Sequence, residues 1–90
     1  MYARADITIS GCVQGVGYRY YAMQQARRLS LVGTVKNQFD GTVRMVVEGE
    51  KAMILELIKR LRIGPRFANV RDVIVDYSDY QNEFNDFSII

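Results

Sequence analysis

The chain has no histidine, a single cysteine and a net charge of only +2. Each scarcity closes off a class of function. Without histidine there is no imidazole general base, no imidazole metal ligand and no Ser-His or Cys-His nucleophilic pair. One thiol, Cys12, admits no intramolecular disulfide, which fits a reducing compartment. No apolar run approaches the ~20 residues a membrane-spanning helix needs. Residues 1–6 lack the basic, apolar and small-residue succession of a secretory signal. The expected location is therefore the cytoplasm, away from membranes. The small net charge gives no electrostatic footprint for nucleic acid. Asp6, Asp40, Asp72, Asp76, Asp79 and Asp86 are scattered, without metal-ligand spacing, so no metal site is expected.

What remains is enough for one small folded unit. Ninety residues, 49% of them hydrophobic, predict a single domain over residues 1–90, burying roughly 60–65% of the surface its unfolded chain exposes. Residues 4–10 alternate, with Ala5, Ile7 and Ile9 opposite Arg4, Asp6, Thr8 and Ser10, the signature of a strand with one buried face. A helical stripe of Ala22, Met23, Ala26 and Leu29 follows over about residues 20–30, with Gly33 marking its exit. Residues 34–38 and 42–48 read as two strands joined through Asp40-Gly41, a favourable turn dipeptide. In the second of these, Val43, Met45 and Val47 share the inner face, and Thr42, Arg44, Val46 and Glu48 the outer. A second helix over about 51–61 carries Ile54, Leu57, Ile58 and Leu61 and ends at Gly64-Pro65. Residues 70–77 form a fourth strand, and Phe87 to Ile90 add a short last one at an edge. The order β-α-β-β-α-β predicts an α+β, ferredoxin-like sandwich: an antiparallel sheet with both helices on one face. In that topology the first and third strands are central neighbours, and the second lies at the edge beyond the third.

The stretch Gly11-Cys12-Val13-Gln14-Gly15-Val16-Gly17-Tyr18-Arg19 departs from ordinary patterning. Glycines allow positive φ, so successive N–H groups turn toward one point. Such a nest in front of a helix N-terminus binds anions. A cation is unfavourable at that positive helix end, so Arg19 makes sense if an anion lies between them, gripped through two parallel hydrogen bonds. The first two parallel strands end at the same end of the sheet, which brings Asn37 toward this loop. Its amide, donor and acceptor at once, suits the orientation of a water molecule.

These residues resemble the acylphosphatase family. Ile9-Ser10-Gly11-Cys12-Val13-Gln14-Gly15-Val16-Gly17-Tyr18-Arg19 is similar to the first signature of that family. Gly33-Thr34-Val35-Lys36-Asn37, with Gly41, Val43 and Gly49, is similar to the second. Gly64-Pro65, Ala68-Asn69-Val70 and Phe87-Ser88-Ile89 extend the resemblance over essentially the whole chain. Tyr18 replaces a usual phenylalanine, which adds a hydroxyl, and Thr34 a usual large aromatic, which predicts looser packing on the second strand. The resemblance implies hydrolysis of a carboxyl–phosphate anhydride to a carboxylate and inorganic phosphate. Within it Arg19 binds the phosphoryl oxygens and Asn37 positions the attacking water. Gln14, Gly15, Val16, Gly17 and Tyr18 supply the cradle. No metal, cofactor or covalent phosphoenzyme is implied.

The missing histidine agrees with that chemistry. A carboxylate leaving group, whose acid has a pKa of about 4, departs without a proton from the protein. Acetyl phosphate, carbamoyl phosphate, 1,3-bisphosphoglycerate and aspartyl phosphates all carry the reactive group, and a cradle of phosphate size predicts weak discrimination among them. A monomer suffices. Two other readings of the same fold are an RNA-binding module and a catalytically idle regulatory module. The strands lack the paired aromatics that stack bases, and the presence of both Arg19 and Asn37 argues against an idle site. Cys12 is expected to be a spectator, and Tyr18, Tyr20 and Tyr21 to pack around the helix start.

Overall fold

A computed structural model describes residues 1–90. The inward residues of the first strand, β1 (Tyr2–Cys12), are Ala3, Ala5, Ile7 and Ile9, all 8% exposed or less. Their neighbours Arg4, Asp6, Thr8 and Ser10 are half-buried on the other face, so the period-2 pattern is realised as read. Helix α1 (Tyr18–Arg28) follows, then β2 (Val32–Asn37), β3 (Val43–Glu50), α2 (Lys51–Ile63), β4 (Asn69–Ser78) and β5 (Phe87–Ile89). The sheet order is β4-β1-β3-β2-β5. Neighbours are antiparallel except β2 and β5, which run parallel. The ferredoxin-like order is thus present, with two corrections. The sheet is mixed rather than antiparallel, and β2 is flanked on both sides instead of lying at the edge. The extra strand is short, but it buries Phe87 completely, at roughly 1.5–3 kcal/mol for a large apolar side chain.

Helix α1 lies over β2 and β5, and α2 over β4, β1 and β3. Ala22, Ala26 and Leu29 of the first helical stripe, and Ile54, Leu57 and Leu61 of the second, meet Val35, Val43, Met45 and Val47 in one core. The alanines let α1 approach closely. Two tyrosines join the helices: the Tyr18 hydroxyl donates to the Leu61 carbonyl at 2.8 Å, and that of Tyr21 to the Arg60 carbonyl at 2.8 Å. Both carbonyls belong to the last turn of α2, where intrahelical partners become scarce; that of Arg60 also accepts the Gly64 N–H at 3.0 Å. Tyr18 is 1% exposed, and burial, with Tyr21 nearby, pushes its phenol well above the ordinary value. The hydroxyl that distinguishes Tyr18 from phenylalanine is therefore a helix cap. Thr34 lies on the sheet face away from the helices, beside Phe84 and Ile90, outside the main core.

Gly33 does not end α1. That task falls to Ser30, left-handed at φ 60°. The Leu31 N–H reaches the Ala26 carbonyl at 2.9 Å and the Ser30 N–H that of Arg27 at 3.0 Å, the bonds of a Schellman cap. Gly33 sits within β2, where a Cβ would lie 1.9 Å from the Val46 carbonyl oxygen.

Glu48 takes the outer-face position on β3 that the alternation predicts, yet it is 0% exposed. The segment from Asp79 to Asp86 crosses that face on its way from β4 to β5 and covers it. Glu48 accepts the N–H of Gln81 at 2.6 Å and that of Glu83 at 2.9 Å, with Arg4 Nη1 at 3.4 Å. Burial alone would raise its pKa; the two N–H groups and Arg4 outweigh this and hold it below its ordinary 4.5. A lowered folded pKa contributes stability that is complete above the ordinary value and is lost as pH falls through the folded one. The half-exposed Asp6 adds in the same sense, since hydrogen bonds from Arg44 lower its pKa too. Glu48→Gln is therefore expected to cost roughly 1–3 kcal/mol at pH 7 by leaving a buried donor poorly met. Between pH 6 and 3 its urea midpoint should fall less steeply than that of the wild type. Parallel slopes would show that Glu48 is not an acid-sensitive tie.

Candidate active site

The loop from Val13 to Gly17 carries the chain from β1 into α1. Gly15 at φ 74° and Gly17 at φ 76° are both left-handed, which an L side chain adopts only at roughly 1–2 kcal/mol. An added Cβ would meet nothing within 4 Å at either one, so conformation and not space calls for glycine. Gly17 is the N-cap of α1 and has no side chain to satisfy the first-turn N–H groups. No acidic residue stands in that turn. The helix start therefore offers uncompensated donors and a positive dipole end. Arg19, one residue inside the helix, joins none of the chain's ion pairs.

Asn37 ends β2, and its Oδ1 is buried without a hydrogen-bond partner in the protein. Such an unpartnered buried acceptor is rare in folded chains. A cavity of about 180 Å³ is lined by Val13, Gly15, Gly17, Tyr18, Arg19, Tyr20, Asn37 and Ile89. The structure thus brings Arg19 and Asn37 to one small hollow with the glycines between them. Val16 packs its side chain against the core instead and can offer the cavity only backbone.

Gln14 stands apart from this lining. Its amide nitrogen donates to the carbonyls of Gln38 at 2.7 Å and Thr42 at 2.9 Å. Both hydrogens are committed to the turn between β2 and β3, so Gln14 braces the loop against the turn that follows Asn37. It borders a wider, open hollow of about 460 Å³ with Lys36, Asn37, Gln38 and Phe39. Asp40 shapes that turn, accepting from the Thr42 N–H at 3.0 Å and hydroxyl at 2.6 Å. Sequence reasoning missed Val13, Tyr20 and Ile89 as lining residues. Ile89 arrives through the parallel pairing of β5 with β2, where it faces Val35 in register. No local pattern announces that pairing, although the Phe87-Ser88-Ile89 alternation did announce the strand. Cys12 is exposed at the end of β1, paired with Asn69 and outside the cavity.

The family model described as Acylphosphatase matches residues 5–89. An acylphosphatase of Moorella thermoacetica is 44% identical over 80 residues, 89% of this chain and 86% of that one. One from Geobacter sulfurreducens is 42% identical over 89 residues, 99% and 98% of the two chains. Among solved structures, the acylphosphatase of Bacillus subtilis superposes with a TM-score of 0.95 at 33% identity, covering 100% of this chain and 99% of the other.

Truncation of Gln14 to alanine removes two partly buried hydrogen bonds. It is expected to lower stability by about 1–2 kcal/mol, read from urea denaturation, and to weaken the binding of inorganic phosphate, read by calorimetry. Unchanged phosphate binding would show that the brace does not hold the shape of the loop.

Proposed function

The chain belongs to the acylphosphatase family, and from that premise we propose that it hydrolyses small acyl phosphates to a carboxylate and inorganic phosphate without a metal ion. The observation that carries the reading is the shared cavity: Arg19 from α1 and Asn37 from β2 line one hollow with Gly15, Gly17 and Tyr18. A phosphoryl group placed there meets the N–H groups of Gly15, Val16, Gly17 and Tyr18, and the Arg19 guanidinium forks onto two of its oxygens. Phosphoryl transfer asks mainly for positioning and charge stabilisation, and this arrangement supplies both from backbone and one cation.

Water attacks phosphorus in line with the departing oxygen. The Asn37 amide, which lines the cavity, orients it by hydrogen bonding and so points an oxygen lone pair at phosphorus. As the P–O bond to water forms, the bond from phosphorus to the acyl oxygen breaks and its electron pair leaves as carboxylate. With a conjugate acid of pKa about 4, that leaving group needs no general acid. Asparagine is no base, so the water's proton passes to a phosphoryl oxygen of the substrate. Every group used comes from one chain, consistent with a monomer that acts on small molecules.

Hydrolysis of benzoyl phosphate followed in the ultraviolet, with and without chelator, tests the reading. Wild type turns over equally in both, and inorganic phosphate inhibits competitively. Arg19→Ala and Asn37→Ala are expected to lose ~10²–10³ in rate, the usual effect of removing one preorganised group, while keeping wild-type circular dichroism. Arg19→Lys fails similarly, because an ammonium cannot reproduce the fork. Activity surviving in Arg19→Ala would sink the mechanism.

A further inference from the structure

Glu48 is the only charged residue the fold buries, and the chemistry above does not use it. Its neighbours on the same sheet face, Arg44 and Asp6, are only half-buried and pair with each other, Arg44 Nε lying 2.9 Å from Asp6 Oδ1. What distinguishes Glu48 is that both N–H groups it accepts belong to the backbone of one short segment, at Gln81 and Glu83. Arg4 closes the arrangement. Its Nη1 lies 2.7 Å from Glu83 Oε1, and its guanidinium stands 5.4 Å from the centre of the Phe84 ring.

Three residues beyond Glu83 the chain reaches β2. The Gly33 N–H donates to the Asp86 carbonyl at 3.0 Å, Arg27 Nη2 to that of Phe87 at 2.8 Å, and the Ile90 N–H to that of Val35 at 2.9 Å. These bonds dock β5, and β5 presents Ile89 to the cavity shared by Arg19 and Asn37. A strand of three residues has few bonds of its own to fix its height against β2. The crossover that delivers this short strand is itself fastened to Glu48 through Gln81 and Glu83.

We propose that Glu48 is a positioning residue for the active site: through Gln81 and Glu83 it sets where β5 places the Ile89 wall of the phosphate cavity. The inference rests on the acylphosphatase reading. Loosening the clamp widens and wets the cavity without moving Arg19 or Asn37, so it weakens ground-state binding and leaves chemistry nearly intact.

The test is a double-mutant cycle on the full chain, assayed well below the melting temperature. Glu48→Gln and Ile89→Ala should each raise both KM for benzoyl phosphate and the inhibition constant of phosphate roughly tenfold, within the range known for small misplacements, with kcat within about twofold. The double variant should be no worse than the weaker-binding single one, since both remove the same wall. Asp6→Asn, on the same sheet face but not bonded to the crossover, should leave KM unchanged. Where Glu48→Gln does not fold, Gln81→Pro is read instead, because it deletes one of the two N–H donors and spares the carboxylate. A KM and inhibition constant unmoved by either clamp variant, or effects of Glu48→Gln and Ile89→Ala that multiply, would overturn the proposal. Phosphate binding by calorimetry separates the two levels. A wild type that binds phosphate but hydrolyses nothing refutes the hydrolase reading alone, while the clamp is still judged from phosphate affinity in the same variants.

Discussion

A carboxylate without access to water must be met by donors on every side, because a buried charge left unpaired costs far more than one ordinary hydrogen bond returns. Glu48 imposes that demand at the middle of the sheet, and the segment between β4 and β5 answers it with two backbone N–H groups. The chain passes over Glu48 on its way from one edge of the sheet to the other. Beyond that point Phe87 enters the core beside α1 and β2, and β5 runs along β2. The interaction is local, but its reach extends to the loop before α1, because β5 closes the cavity that the loop opens.

The proposed chemistry inverts the usual division of labour in a hydrolase. Carboxylates and imidazoles are absent from the cavity, whose lining combines one guanidinium, one amide, glycine backbone and the side chains of Tyr18 and Tyr20 with Val13 and Ile89, the Tyr18 hydroxyl being spent on the Leu61 carbonyl. A site of this kind works only where the leaving group is already a weak base and the attacking water needs direction more than deprotonation. The lack of histidine and the choice of an acid anhydride are thus two sides of one constraint. Backbone donors held by left-handed glycines need no reorganisation when charge develops on the phosphoryl oxygens, the condition under which electrostatic stabilisation is most effective.

Much of this was legible in the residues. The Ile7 and Ile9 alternation, the two helical stripes and the Asp40-Gly41 turn set the element order, and parallel β1 and β2 were enough to bring Asn37 toward the loop. The failures have physical reasons. Alternation tells which face a residue takes but not what covers that face, so the outer-face position of Glu48 carried no sign of its burial. Its partners are backbone groups, which carry no sequence identity. Gly33 read as a helix stop because glycine usually marks one, whereas here Ser30 takes the left-handed position and Gly33 admits the Val46 carbonyl. Gln14 read as part of the cradle, yet its donors are spent on the turn after Asn37. Ile89 reached the cavity through a parallel pairing between segments far apart in the chain, which no local pattern encodes.

That pairing has a consequence for how the molecule is made. The hairpin of β2 and β3 joins residues close in sequence, whereas β5 meets β2 only after the chain has passed through α2, β4 and the whole crossover. Pairings of such separation carry the largest closure entropy and tend to form last. The four-stranded sheet can assemble with its loop and Arg19 in place while the cavity still lacks a side. Competence to bind phosphate would then be acquired in the final docking event of folding, and recovery of ligand affinity after dilution from denaturant would report the arrival of three residues.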